Sequence, residues 1–117
     1  MTAVEAIRRV DALKFNTYED AEKLAWLGKL EAMLQSNLVE THEGGTACGP
    51  VEADTELMAP EAFEALYLRW LEAQMAYHNG ETQAYNAAIS LFNAEYGALE
   101  SWYNRNFRPK HRGGFHV

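Results

Sequence analysis

Leu66-Tyr67-Leu68-Arg69-Trp70-Leu71-Glu72-Ala73-Gln74-Met75-Ala76-Tyr77-His78-Asn79-Gly80-Glu81 is the stretch whose reading decides the fold. Phe63, Leu66, Tyr67, Trp70, Leu71, Gln74 and Tyr77 recur at steps of three and four, the spacing that lays side chains along one helix face. Pro60 suits the first turn of that helix, where its missing N–H costs nothing. Asn79-Gly80 supplies a left-handed stop. The pattern then restarts with Tyr85, Ala88, Ile89, Phe92, Tyr96, Leu99, Trp102 and Tyr103. So short a link predicts an antiparallel hairpin of helices over about 60–78 and 81–106.

Working back from the hairpin, residues 43–59 hold three glycines and Pro50, which predicts a loop. Its later part carries Val51, Leu57 and Met58 and can pack back on the body as a short extended segment. A loop this long in a compact domain is uncommon and tends to be functional, so these three residues are candidate contacts to a neighbouring subunit. Before it, Leu24, Leu27, Leu30, Leu34 and Leu38, broadened by Trp26 and Met33, predict a helix over about 18–42, opened by Thr17 with Asp20. Lys23, Lys29, Glu31 and Glu40 fall mostly off that stripe; Gly28 costs about 1 kcal/mol against alanine in mid-helix, and a close helix crossing there is one reason that would account for it. Thr2-x-x-Glu5 is a capping box. Val4, Ile7, Val10 and Leu13 follow it, predicting a helix over about 3–14. The fold class is all-α: a four-helix bundle over residues 1–106, with 107–117 as an extended basic tail.

The chain has 117 residues, 48% of them apolar types, enough for one domain with a real core. Its net charge of −7 is uneven. Residues 1–104 hold all 17 acidic groups and 6 of the 10 basic ones, a net of −11. Residues 105–117 hold Arg105, Arg108, Lys110 and Arg112 with no acid, a net of +4. An acidic body repels nucleic acid, while the tail can touch something anionic. We therefore mark Arg105, Phe107, Arg108, Lys110, Arg112 and Phe115 as candidate partner contacts. The single Cys48 cannot form an internal disulfide, and neither a secretory signal nor an apolar run of membrane length stands in the sequence, so a soluble intracellular chain is expected.

Searches for chemistry return little. His42, His78, His111 and His116 are scattered and Cys48 stands alone, so no metal-ligand spacing exists; the histidines read as solvated or capping. Ser36, Ser90 and Ser101 lie in predicted helices, none on a nucleophile elbow. Gly44-Gly45-Thr46-Ala47-Cys48-Gly49 lacks the phosphate-loop lysine and follows a helix rather than a strand. No catalytic, cofactor or metal residues are therefore assigned, and an enzyme is not expected.

The hairpin run quoted above, continued by Tyr85-Asn86, Leu91-Phe92-Asn93-Ala94-Glu95-Tyr96 and Trp102-Tyr103-Asn104-Arg105, resembles small tailed-phage and prophage proteins of the head–tail connector (adaptor) class. The stretch Lys23-Leu24-Ala25-Trp26-Leu27-Gly28-Lys29-Leu30, ending at Glu40-Thr41-His42-Glu43, is similar to their N-terminal half. The resemblance covers roughly residues 4–106 and rests on packing motifs. It implies a virion protein that forms a ring of copies of itself below the portal protein. Such a ring extends the DNA channel and docks the next neck or tail-completion component, with packaged DNA passing through unread and no membrane involved. No motif of the basic tail matches that family. Two other readings stay open. One is a stand-alone helical interaction module, although a single tetratricopeptide-like hairpin falls short of the about three units such folds need. The other is a non-specific DNA-binding protein acting through the tail.

Overall fold

The computed structural model describes residues 1–42 and 50–108. Among them run four α-helices: α1 (Ala3–Leu13), α2 (Asp20–Leu34), α3 (Glu64–Asn79) and α4 (Thr82–Asn106). Thr2 caps α1 as the sequence predicts: its hydroxyl accepts the Glu5 N–H and the Glu5 carboxylate accepts the Thr2 N–H. The buried face is Ala3, Ala6, Ile7 and Val10, however, which turns Val4 to a half-buried flank and Leu13 out to solvent. Once Ala3 and Ala6 are counted as core residues, the helical period selects this face.

α2 starts later than expected. Thr17 does not cap it; Glu19 is the cap and offers no side-chain bond. The reason lies in Asn16, whose amide N–H donates to the Lys14 carbonyl and the Asp11 carboxylate while its Oδ1 accepts the Tyr18 N–H. That keeps 14–18 extended. After Leu34 the chain widens into one π turn, Gln35–Val39, in which the Glu40 N–H reaches the Gln35 carbonyl five residues back. Leu38 and Val39 within this turn are both buried. Gly28 does not mark a close crossing, since a Cβ there would meet nothing within 4 Å.

Pro60 stands just before a 3₁₀ turn, Glu61–Phe63, that leads into α3. Gly80 takes φ +74°, its N–H donates to the Tyr77 carbonyl, and the Glu81 N–H donates to the Ala76 carbonyl. This is a Schellman stop, and it folds α4 back against α3. Of the expected α3 stripe Leu66, Tyr67 and Leu71 are buried and Phe63, Trp70 and Gln74 half-buried, but its last member, Tyr77, is exposed, and Ala73, Met75 and Ala76 are buried as well. Leu27, Leu30, Leu34 and Leu38 of the α2 segment meet Leu66, Tyr67 and Leu71 in the core that Ile7, Val10, Phe92 and Leu99 complete. Lys23 and Glu31, expected off the stripe, are buried in it.

Candidate interaction surfaces

One end of the body is closed by residues 50–59. The first amides of a helix have no partner within it. Here the Ala3 and Val4 N–H groups donate to the carbonyls of Thr55 and Ala53, 2.9 Å each, while the Leu57 N–H donates to the Met1 carbonyl. Thr2 and Glu56 form an antiparallel bridge. This is the short extended segment the sequence allows. The next residues are held by a buried carboxylate. Glu31, 2% exposed, accepts the Met58 N–H (2.9 Å) and the Tyr67 hydroxyl (2.7 Å), and the Tyr67 oxygen in turn accepts the Ala59 N–H (2.9 Å). Burial pushes the Glu31 carboxyl above the usual carboxylate range, against the two bonds that favour its charge. Burial and the adjacent carboxylate push the Tyr67 hydroxyl up as well.

This arrangement changes what the candidate loop contacts can do. Leu57 is buried in its own chain, and Val51 and Met58 are half-buried against the same core. The face that this segment shows to the outside is Glu52, Asp54 and Glu56.

The C-terminal candidates are divided. Arg105, in the last turn of α4, and Arg108 are exposed. Phe107 turns back on its own helix: its N–H donates to the Tyr103 carbonyl, and its ring lies 5.1 Å from Tyr103 and 5.6 Å from Trp102. Lys110, Arg112 and Phe115 lie outside the described residues, as do His111 and His116. His42 is a cap, one of the two roles its sequence position allows: its Nδ1 donates to the Leu38 carbonyl at 2.8 Å. It is also buried, and its Nε2 sits 2.7 Å from the Asn104 Oδ1, linking the end of the α2 segment to α4.

The opposite, hairpin end carries what the sequence does not single out. Leu13, Phe15 and Tyr77 are 65%, 90% and 65% exposed. Next to Tyr77, Trp26 stacks on His78 (5.3 Å, 11°), and Tyr18 meets Trp26 edge-on at 5.2 Å. Tyr77 touches both His78 and Tyr85. Tyr18, Glu22, Ala25, Trp26 and His78 line an open cleft of about 290 Å³, at the small end of what ligand sites use and nearer the size of one side chain. Two ion pairs brace this end. Lys14 reaches Glu81 across the hairpin turn at 2.9 Å. Lys23, 3% exposed, reaches Asp11 at 2.7 Å. Burial pushes the Asp11 carboxyl up, but the bonds from Asn16 and Lys23 outweigh it and leave the group below its ordinary value.

Two signals for these features stand in the sequence. Leu24, Leu27, Glu31, Leu34 and Leu38 step by three and four, so Glu31 occupies a core position of the very stripe it is expected to leave. Phe15 is a large apolar residue beside the Asn16-Thr17 break, where no helix face can bury it. Among the described residues no group of three His, Cys, Asp or Glu is placed to hold a metal ion, and no helix is long and apolar enough to cross a membrane. Set against models of known protein families, curated proteins and solved structures, the chain matches none of them.

Proposed function

We propose that this chain is a non-catalytic structural subunit that assembles with copies of itself, and within that class a head–tail connector (adaptor) of a tailed phage or prophage. The assembly half rests on one observation. Leu13, Phe15 and Tyr77 are each exposed, at or beside the end where Lys14 pairs with Glu81 and Tyr77 meets Tyr85, and large apolar side chains left uncovered at one end suit a contact. A rigid body supports it, with α4 running 25 residues, about 37 Å, from one end to the other. The connector half rests on the resemblance of the hairpin and α2 residues to that class.

In this reading the subunits form a ring below the portal protein in the virion neck, extend the DNA channel and dock the next neck or tail-completion component. Exposed acids such as Glu52, Asp54, Glu61 and Glu100 keep passing DNA from adhering to the wall. The test is co-expression with a portal protein of the same genome, followed by light scattering and electron microscopy. Rings seated on the portal are the expected result. A chain that stays monomeric at all concentrations and leaves the portal bare sinks the proposal.

A further inference from the structure

We infer that Asn79, at the hairpin stop, is a site of spontaneous deamidation that the fold guards, with the Tyr18 hydroxyl as the guard. Asn79 is followed by Gly80, a pairing that none of the other six asparagines has, and glycine leaves its backbone nitrogen unshielded by any Cβ. In this reaction the Gly80 nitrogen gives up its proton and attacks Cγ of Asn79. The new C–N bond closes a five-membered succinimide, and the side-chain nitrogen leaves as ammonia. Water then opens the ring at either carbonyl, giving aspartate or isoaspartate. Nothing is oxidised or reduced, and solvent is the sole co-reactant, which reaches Asn79 because the residue is exposed.

Three features hold the folded chain short of ring closure. The Gly80 N–H is engaged by the Tyr77 carbonyl at 3.2 Å, so the nucleophile is tied. Asn79 is the last residue of α3, and closure needs its Cβ and the Gly80 nitrogen to eclipse about the Cα–C bond. A helical ψ of about −42° keeps them apart. The side-chain amide is also held at both atoms: Oδ1 accepts the Tyr18 hydroxyl, and Nδ2 donates to Glu81 Oε1 at 3.4 Å. That same Glu81 oxygen accepts the Lys14 ammonium, so the amide belongs to a row that ties the segment before α2 to the hairpin turn and the end of α1. A hydroxyl on Oδ1 also polarises the carbonyl, but polarisation helps only once the nitrogen is within reach, so position decides. Either product would alter this end. Aspartate sets a carboxylate against Glu81 where an amide donated. Isoaspartate adds a methylene to the main chain just before Gly80 and puts the Gly80–Tyr77 and Glu81–Ala76 bonds of the stop out of register.

Incubating the full chain at mildly alkaline pH, with peptide mass mapping over time, tests this. Asn79 should be the first asparagine converted, and at least about tenfold more slowly in the native chain than in the same chain held in urea, because ring closure needs a local opening. Tyr18→Phe keeps the ring and discards the hydroxyl. It should speed the native reaction about fivefold, the factor one hydrogen bond represents, and leave the rate in urea unchanged. Circular dichroism of that variant shows whether it is folded, and the native-against-urea ratio of the unaltered chain tests the guard without any variant. Equal rates in native buffer and in urea, or an earlier conversion at another asparagine, overturn the inference. So does a folded Tyr18→Phe chain that deamidates no faster than the parent; a slower one would make the hydroxyl an activator rather than a guard. Nothing in this chemistry depends on self-assembly, so the connector reading stands or falls separately.

Discussion

At the end where residues 50–59 cross the body, Leu57 is turned into the core and Met58 and Ala59 are tied by their amides to Glu31 and Tyr67. At the hairpin end Leu13, Phe15 and Tyr77 face outwards, and the aromatic rings next to Tyr77 lie open along a cleft. Each end also buries one charge of α2. Glu31 is held by a hydroxyl and a backbone amide, and Lys23 by the carboxylate of Asp11. The same helix therefore locks an irregular segment at one end and leaves binding surface at the other. Loop-like sequence is here the rigid part, and helix termini carry the exposed apolar groups.

The lock gives the largest expected effects. Glu31→Ala leaves the Tyr67 hydroxyl and the Met58 N–H buried without their acceptor, which costs about 3 kcal/mol in chemical denaturation. Glu31→Gln keeps an acceptor for the Met58 N–H and loses less. It also removes a pH dependence whose sign is set by the raised carboxyl. The folded state binds the proton more tightly than the unfolded chain, so stability is fully present below the unfolded value of 4.5 and is lost as pH rises through the folded value. Between wild type and Glu31→Gln, only wild type should lose that increment as pH rises from about 4.5; parallel stability curves would show that the carboxylate is not held as described. Leu57→Ala, at a site 4% exposed, removes a buried side chain and costs about 2–3 kcal/mol by the same measurement.

Why the hairpin is readable and the lock is not is a question of range. Helix faces and the Gly80 stop are local: periodicity and one residue that tolerates positive φ determine them, and the α3–α4 turn falls within two residues of the predicted bounds. The π turn at Gln35–Val39 has no local signature, because it trades one helical hydrogen-bond pattern for another within an otherwise ordinary helical sequence. The lock joins Glu31 to Met58 and Tyr67, 27 and 36 positions away. A charge on a core stripe is an anomaly a sequence can display, but its partners come only with the fold. The exposed aromatics are hidden for the opposite reason, since Tyr77 and Leu13 keep helical spacing and face out only because no described element covers them.

The two buried charges make a sharper contrast when each is disturbed. Asp11→Ala removes the carboxylate that pairs with the buried Lys23 ammonium among the described residues. A loss of about 2 kcal/mol is expected, tempered because the Asp11 side chain is 31% exposed. Lys23→Met keeps the apolar stem and discards the charge, so thermal unfolding should move little or rise. If Lys23→Met proved the more damaging of the two, the pair would be contributing net stability and the reasoning from desolvation would be wrong at this site.

Phe15 supplies the smallest effect and the most direct comparison with Leu57. Its ring is 90% exposed, so replacing it with serine removes almost no buried area and should change unfolding free energy by less than about 0.5 kcal/mol. The apolar surface at risk is instead what a second molecule would cover. If the hairpin end is a contact, Phe15→Ser leaves denaturation curves of the dilute chain unchanged and lowers its tendency to associate at high concentration, which sedimentation measures. Leu57→Ala does the reverse, weakening the fold without changing the outer face of residues 50–59. A Phe15→Ser chain that unfolded about 2 kcal/mol more easily would mean the ring is buried in the isolated subunit, and the division between a locked end and an open one would collapse.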